Sequence, residues 1–261
     1  MNKKFKKIIV FIDCCALILS LTFFVVKFYG YYSNRKTYKN VEKLYIMKPD
    51  AKEKQISSQA SKKVLPKDEV LKVSDTFEKL LQTNGDTVGW IKIQNTHVNY
   101  PVVKYTDNDF YLHNDFEKKS SSAGCIFMDY RNYIHPLDKN IILYGHHMKD
   151  ESMFRDLVLY KNKDFFYNND KINFSTIYQE GIWQVFSVYV TDTNFDYLIT
   201  NFSRDEDYIN YINTLKAKSI FKKDISINKE DCILTLSTCS YEFENARTVI
   251  HAKYIDNGVI K

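Results

Sequence analysis

The chain has 261 residues, of which 44% are hydrophobic and 26% charged, with only 7 Gly and 4 Pro. This composition excludes a disordered or collagen-like chain, and the length allows one domain of about 200 residues with a packed core. The net charge of +5 divides into +11 for residues 1–67 and −6 for residues 68–261. Because the basic excess lies in or beside an apolar segment, it favours a membrane surface as partner and argues against a nucleic acid.

The apolar segment occupies residues 8–28 and reads IIVFIDCCALILSLTFFVVKF. At ~1.5 Å per residue, a helix of this length crosses the core of a lipid bilayer. Four lysines precede it, so the positive-inside rule places the N-terminus in the cytoplasm and the rest outside the cell membrane. A cleaved signal peptide is the alternative, but no A-x-A-like cleavage site follows. We therefore predict a cytoplasmic tail and single-pass signal-anchor in residues 1–29, a stalk or linker in residues 30–67 and an extracellular domain in residues 68–261.

The extracellular domain begins with a predicted helix in residues 68–84, which Asn84 and Gly85 bring to an end. Five residues fall on one apolar face of this helix: Val70, Val73, Phe77, Leu80 and Leu81. Eight strand-like segments follow, each alternating in polarity or rich in β-branched residues: VGWIKI, HVNYPVV, GCIFMDY, KNIILYG, KINFSTIY, IWQVFSVYVT, CILTLSTC and RTVIHAKYI. Eight strands with few helices predict a mainly β fold, a closed or nearly closed barrel.

A second long helix, in residues 203–221, interrupts the strands before the seventh. Ser203 and Glu206 have the spacing of a capping box at its start. Its predicted buried stripe consists of Tyr208, Ile212, Leu215 and Ile220. The segments MFRDLVLY and NKDFFYNN predict short helical turns between the fourth and fifth strands.

The cysteines outside the apolar segment do not suit a disulfide scaffold, because they are few and odd in number. Only Cys125, Cys232 and Cys239 lie beyond residue 28. Cys232 and Cys239 belong to one strand, where seven residues at ~3.3 Å each hold them roughly 23 Å apart, so they cannot pair. This pattern favours an active thiol.

Three residues at strand ends have side chains suited to cysteine chemistry. Cys239 ends the strand CILTLSTC, His146 and His147 follow the strand NIILY, and Arg247 begins the last strand. A thiol needs a histidine because it is mostly protonated at neutral pH, and an arginine suits a developing oxyanion. We expect Gly145 to allow a tight turn before the histidines, and the hairpin after Cys239 to bring Arg247 back beside it.

Each of these residues also has an ordinary interpretation. A lone cysteine is commonly a small buried hydrophobe, a histidine pair can be a loop without a role, and an arginine at a strand start is commonly a surface residue. A metal site at the histidines lacks an accompanying cluster of ligands with familiar spacing. We therefore expect no metal and no cofactor.

The chain resembles the sortases, specifically class B, over about residues 68–256. The segments that carry the resemblance, in chain order, are VGWIKI, YPVV, DNDFYLHNDF, FMDYRN, ILYGHHMKDESMF and TLSTCSYEFENARTVIHAKYI. The combination of TLSTC, a following arginine and an upstream GHHM is specific to that family. The resemblance implies an eight-stranded sortase-type β-barrel with N-terminal helices and a helix before the cysteine-bearing strand.

The resemblance also implies roles for individual residues. Cys239 corresponds to the nucleophile, His146 to the acid/base, because it directly follows glycine, and Arg247 to the oxyanion stabiliser. Ser237 and Thr238 lie in the cysteine motif and are expected to bind substrate. Asp129 or Glu242 could orient His146, which the sequence leaves open.

The family relationship further implies the partners. Sortases cleave a short motif near the C-terminus of secreted proteins after Thr and transfer the acyl group to an amine of a cell-wall precursor. The expected partners are therefore secreted proteins with a sorting signal, a peptidoglycan precursor amine, and the lipid bilayer through residues 8–28. The alternatives are another extracytoplasmic cysteine peptidase and an inactive sortase-like binding module. In papain-like enzymes, however, the cysteine precedes the histidine, and the SHGC-like motif of L,D-transpeptidases is missing.

Overall fold

The computed structural model describes residues 3–45 and 72–256 and contains the eight predicted strands. These are β1 Thr87–Ile93, β2 Asn99–Val103, β3 Ile126–Met128, β4 Asn140–Tyr144, β5 Lys171–Thr176, β6 Ile182–Thr191, β7 Ile233–Cys239 and β8 Arg247–Asp256. They form a closed barrel in the order β1-β2-β3-β4-β7-β8-β6-β5. Neighbouring strands are antiparallel except for the parallel pairs β2–β3 and β4–β7. The predicted fold class is confirmed.

The helices are α1 Lys3–Leu44, α2 Glu78–Thr83, α3 Phe110–His113, α4 Lys163–Asn168 and α5 Asp205–Lys218. Two 3₁₀ segments, Asp75–Phe77 and Arg155–Lys161, adjoin α2 and α4. The short helical turns expected before β5 are therefore present. One apolar cluster fills the barrel, with Ile91, Leu143, Phe174 and Leu234 among its buried members. A second cluster lies between the barrel wall and α5.

The helix predicted for residues 68–84 is shorter than expected. Val70 lies outside the described residues, and Val73 precedes the first helical turn. Ser74 has an extended backbone, and its N–H donates to the Ile177 carbonyl at 2.8 Å, so the barrel holds this residue out of a helix. The helix ends before Asn84, as predicted, and the Asn84 side chain donates to the Phe116 carbonyl at 2.9 Å.

Helix α5 confirms the second long helix, but both of its ends differ from the prediction. Its N-cap residue is Arg204, and no side chain caps the helix, so the predicted capping box is wrong. Arg204 instead bonds to Asp207 in the first turn, which leaves Ser203 outside the helix. Ile220 is 48% exposed, because the helix ends at Lys218 and the Ile220 N–H pairs with β6 at Val188. The other predicted stripe residues are buried: Tyr208, Ile212 and Leu215.

Helix α1 continues from the apolar segment without a break and packs against the barrel. It is long and apolar enough to cross a membrane, and none of its most apolar window is buried in the protein. Near its C-terminal end, Tyr38 and Val41 are buried. The Tyr38 hydroxyl donates to the Gly124 carbonyl at 2.6 Å, and Arg35 donates to the Asp150 carbonyl at 2.8 Å. The described part of the predicted stalk, residues 30–45, is therefore mostly helical and attached to the barrel.

A fully buried histidine lies in the wall between β7 and β8. The Nδ1 of His251 is 2.8 Å from the Thr235 hydroxyl, which itself donates to Asn140 Oδ1 at 2.6 Å. Nδ1 therefore donates to Thr235, and Nε2 accepts from the Tyr189 hydroxyl at 2.8 Å. Burial lowers the pKa of His251 to about 3. Both nitrogens are paired in the neutral form, so the folded protein holds this ring uncharged.

We predict that acid destabilises the fold through His251. The pKa of an unfolded histidine is about 6.5. Below that pH the imidazole of His251 binds a proton in the unfolded chain but not in the folded chain. The free energy of unfolding should fall as pH drops from about 6.5 toward 3, by up to about 1.4 kcal/mol per pH unit from this group. Urea unfolding across this range measures the slope. His251→Gln should be less stable at neutral pH yet show a shallower slope, and an unchanged slope would contradict the assignment.

Candidate active site

The parallel pairing of β4 and β7 brings the histidine-bearing loop beside the cysteine. The register runs from Asn140 opposite Ile233 to Tyr144 opposite Ser237. Hydrogen bonds of Gly145 continue this register one residue beyond β4. The Gly145 N–H donates to the Ser237 carbonyl at 3.3 Å. The Thr238 hydroxyl donates to the Gly145 carbonyl at 2.8 Å. The next residues along the two strands are His146 and Cys239, so the same register carries them to one end of the barrel.

Gly145 is required for packing and not for a tight turn. It does not adopt a left-handed backbone, which corrects the expectation from sequence. A Cβ at this position would lie 2.4 Å from Ile126 Cδ1 and 2.8 Å from Phe154 Cγ. The chain between β4 and His146 therefore passes too close to the core for any side chain. The Phe154 N–H also donates to the His146 carbonyl at 2.9 Å, which fixes the backbone that carries the imidazole.

The hairpin of β7 and β8 places Arg247 directly across from Cys239, as expected. The two residues are register partners at the loop end of the hairpin, next to residues 240–246, and both are half-buried. The Arg247 Nη1 donates to the Ala246 carbonyl at 3.0 Å and to the Asn245 carbonyl at 3.3 Å. No carboxylate within the described ranges forms an ion pair with Arg247. The guanidinium therefore keeps further donors on the residue that lies opposite Cys239.

The two histidines have different partners. His146 Nε2 lies 2.9 Å from the Leu112 carbonyl, which can only accept, so Nε2 carries the proton. His147 Nδ1 lies 3.0 Å from the Cys239 carbonyl, and its ring meets the Tyr241 ring edge-on at 4.8 Å. Burial lowers the pKa of His147 below its ordinary value. His147 thus packs under the loop after Cys239, whereas His146 lies toward α3.

The carboxylates considered as orienting groups for His146 have other partners. Asp129 is fully buried and forms an ion pair with Arg131 at 2.8 Å. Glu242 forms an ion pair with Lys161 and accepts from the Ser240 hydroxyl, and these contacts outweigh burial and lower its pKa to about 2. Neither bonds to His146 within residues 72–256. Backbone carbonyl oxygen, and not a carboxylate, is the hydrogen-bond partner of this imidazole.

Ser237 and Thr238 are nearly fully buried, with exposures of 4% and 2%. The Thr238 hydroxyl joins the two strand ends, as described above, and the Ser237 hydroxyl lies 2.9 Å from the Tyr197 hydroxyl. Burial raises the pKa of Tyr197, while the charge of Arg247 opposes this and that of Cys239 adds to it. Tyr197 is therefore a member of the site that sequence reasoning missed. Its segment, between β6 and α5, has no periodic pattern that would have pointed to it.

The other cysteines of the barrel are set apart from this cluster. All five cysteines are free. Cys125 is 1% exposed and Cys232 is half-buried, and burial raises the pKa of both thiols. Across the part of the chain that the structure describes, no group of three or more His, Cys, Asp or Glu side chains has a metal-binding arrangement.

Comparison with known proteins places the chain in a known family. The family model described as a sortase domain matches residues 91–255. Sortase B of Listeria monocytogenes is 39% identical over 185 residues, which cover 70% of this chain and 75% of the relative.

Two solved structures are similar as well. The structure of sortase B from B. anthracis superposes with a TM-score of 0.74 at 36% identity and covers 88% of this chain and 99% of that one. A Staphylococcus aureus sortase B–substrate complex has a TM-score of 0.73 at 34% identity and covers 86% of this chain and 97% of the other.

Proposed function

The chain belongs to the sortase family, in its class B, and is a cysteine transpeptidase; from that premise we propose which bond it cleaves and with which residues. The substrate is a sorting motif near the C-terminus of a secreted protein, cleaved after a Thr residue. The acceptor is an amine of a cell-wall precursor. The observation that carries the proposal is the convergence of Cys239, His146 and Arg247, from three different strand ends, on one end of the barrel.

In the first half of the reaction, the Cys239 thiolate attacks the Thr carbonyl carbon. The negative charge that develops on the carbonyl oxygen is stabilised by Arg247, which has no competing carboxylate in the described chain. His146, as the imidazolium, gives its proton to the leaving amine, the peptide C–N bond breaks, and a thioester to Cys239 remains. The Leu112 carbonyl supports this role because it accepts the Nε2–H, which orients the ring and leaves Nδ1 to exchange the proton.

In the second half, the acceptor amine attacks the thioester carbonyl. His146 takes a proton from the amine, a new peptide bond forms, and the Cys239 thiolate leaves. Ser237 and Thr238 are proposed to adjoin the bound motif, through a backbone that their buried hydroxyls hold in place. The solved substrate complex of the Staphylococcus aureus relative supports the proposal that this chain also binds a substrate.

We also propose that the enzyme is anchored in the cell membrane, with its N-terminus in the cytoplasm and the barrel outside. The proposed organisation is a signal-anchor in residues 1–29, a linker in residues 30–67 and a catalytic domain in residues 68–261. The unburied apolar part of α1 and the preceding lysines support this arrangement. Because residues 34–45 pack on the barrel, that part of the linker contributes to the catalytic domain.

The nucleophile and its helper can be tested by intact-mass spectrometry after mixing the enzyme with a sorting peptide. Cys239→Ala should form no acyl adduct, whereas Cys232→Ala should form the same adduct as the unaltered enzyme. Arg247→Lys keeps the charge but loses the planar fork, so acylation should slow by about 10²–10³. An adduct that persists in Cys239→Ala, or an Arg247→Lys enzyme of unchanged rate, would remove these roles.

The two histidines should differ strongly in a transpeptidation assay with peptide and amine. His146→Ala should lower the rate by about 10² or more, because no other group in the proposed mechanism moves the proton. His147→Ala removes a contact to the Cys239 carbonyl and should retain activity within roughly tenfold. The opposite order, measured on folded protein, would transfer the acid/base role to His147.

The anchor can be tested by comparing three lengths of the chain. The full chain should sediment with membranes and resist an alkaline wash. A chain without residues 1–30 should be soluble and still cleave peptide, because it retains the part of α1 that packs on the barrel. A chain without residues 1–45 should lose thermal stability, since removal of buried Tyr38 and Val41 exposes their binding surface. A full chain that is soluble without detergent would contradict the anchor.

A further inference from the structure

Asp129, directly after β3, is the most heavily bonded carboxylate near the candidate site. Its Oδ1 accepts from the Arg131 N–H at 3.0 Å and from Arg131 Nε at 2.8 Å. Its Oδ2 accepts from Arg131 Nη2 at 2.9 Å, the Tyr144 hydroxyl at 2.8 Å and Asn108 Nδ2 at 3.1 Å. Burial alone would raise the pKa of Asp129, but these donors hold it below its ordinary value. A fully buried anion therefore joins one segment directly, at Asn108, and a second segment, residues 197–200, through Arg131, which donates to the Leu198 carbonyl.

The first of these segments leads to the histidine. Asn108 bonds to Asp129 through its amide nitrogen, while its oxygen accepts from the Tyr130 N–H at 3.0 Å. This fixes the start of what we term the α3 wall, residues 108–113. The same wall presents the Leu112 carbonyl to His146. Asp129 thus holds the element on which the His146 imidazole rests.

The second segment leads to the cysteine. Residues 197–200, here termed the tyrosine segment, have four successive carbonyls that accept hydrogen bonds from the barrel or from α5. The donors are the Tyr211 hydroxyl at 2.7 Å, Arg131 Nη2 at 3.0 Å, Asn140 Nδ2 at 2.8 Å and the Asn140 N–H at 3.1 Å. Arg131 is the charged donor of this set, and it reaches the segment while paired with Asp129. The Tyr197 hydroxyl at the end of the segment bonds to Ser237, two residues before Cys239.

We propose that Asp129 is a positioning residue that, through Arg131, fixes the separation of the α3 wall and the tyrosine segment on either side of Cys239. The inference rests on the proposed function, because it takes the space between these elements as the peptide groove. Tyr144 lies between them in β4 and is bonded to the same carboxylate. One ion pair therefore sets the shape of the groove without touching the reacting atoms. Its loss should weaken peptide binding while leaving the thiol reactive.

The direct test is Asp129→Asn, which keeps the shape of the side chain. It replaces one acceptor oxygen with an amide NH2 group, which is a donor and faces the donors of Arg131. We expect KM for a sorting peptide to rise about tenfold or more, with a much smaller change in kcat. The rate of Cys239 alkylation by iodoacetamide should stay within about twofold, because a small reagent needs no groove. Peptide affinity measured in a Cys239→Ala background should fall by the same factor as KM rises.

Two further variants separate positioning from general stability. Arg131→Lys keeps the charge but cannot bond to Asp129 at two points and to Leu198 at once, so its KM should lie between those of the parent and Asp129→Asn. Asp170→Asn is the matched control, because Asp170 also bonds to a cation and an amide, Lys223 and Gln184, away from the candidate site. It should lower thermal stability without raising KM. If Asp129→Asn fails to fold, Arg131→Lys carries the test, because the Arg131 side chain is 41% exposed.

An unchanged KM in folded Asp129→Asn, or in Arg131→Lys where the first variant is unfolded, would overturn the inference. So would a KM rise of equal size in Asp170→Asn, and so would a loss of alkylation rate that matches the loss of peptide cleavage. The proposed function fails separately, if the unaltered enzyme forms no acyl adduct on Cys239 with any sorting peptide.

Discussion

The candidate site depends on the parallel register of β4 and β7. More than ninety residues of chain separate His146 from Cys239, and β5, β6 and α5 are formed by the residues between them. The parallel ladder between β4 and β7 holds these two strands side by side, and two hydrogen bonds of Gly145 carry the register past the end of β4. The candidate site therefore forms only together with the fold. A barrel that opened between β4 and β7 would separate the proposed acid/base from the proposed nucleophile while leaving both residues intact.

Local pattern predicted the strands well, because alternation and β-branching report directly on a half-buried pleated surface. The pairing of Cys239 with Arg247 was also accessible, since a hairpin needs only neighbouring strands. The pairing of β4 with β7 was not, because no local signal specifies a partner so distant in sequence. The strand-end position indicated His146 and His147 together, and only the family resemblance selected His146.

The errors arise where specific side-chain and tertiary contacts override short-range rules. The capping box at Ser203 was displaced by the ion pair of Arg204, and a hydrogen bond to Ile177 holds Ser74 out of the helix before β1. Asp129 was considered as a partner for His146, yet its donors come from Arg131, Tyr144 and Asn108. Gly145 suggested a tight turn, whereas the structure needs glycine there because a Cβ would clash with Ile126 and Phe154 in the core. At Ser74 and Gly145 the deciding group lies far away in the chain, where a single sequence gives no measure of distance. Arg204 and Arg131 are near neighbours in sequence, but nothing in the sequence selects their ion pairs over the alternatives.

In the proposed membrane arrangement, helix α1 is a rigid connection between the bilayer and the barrel. It passes from the apolar segment to the buried Tyr38 as one continuous helix, with no Pro between them. Each residue of such a helix advances about 1.5 Å and turns about 100°. The number of residues in α1 therefore sets both the height of the barrel above the bilayer and its rotation about the helix axis. One residue added between Phe28 and Asn34 would swing the mouth of the groove by more than a quarter of a circle, a sensitivity that a flexible tether would not have.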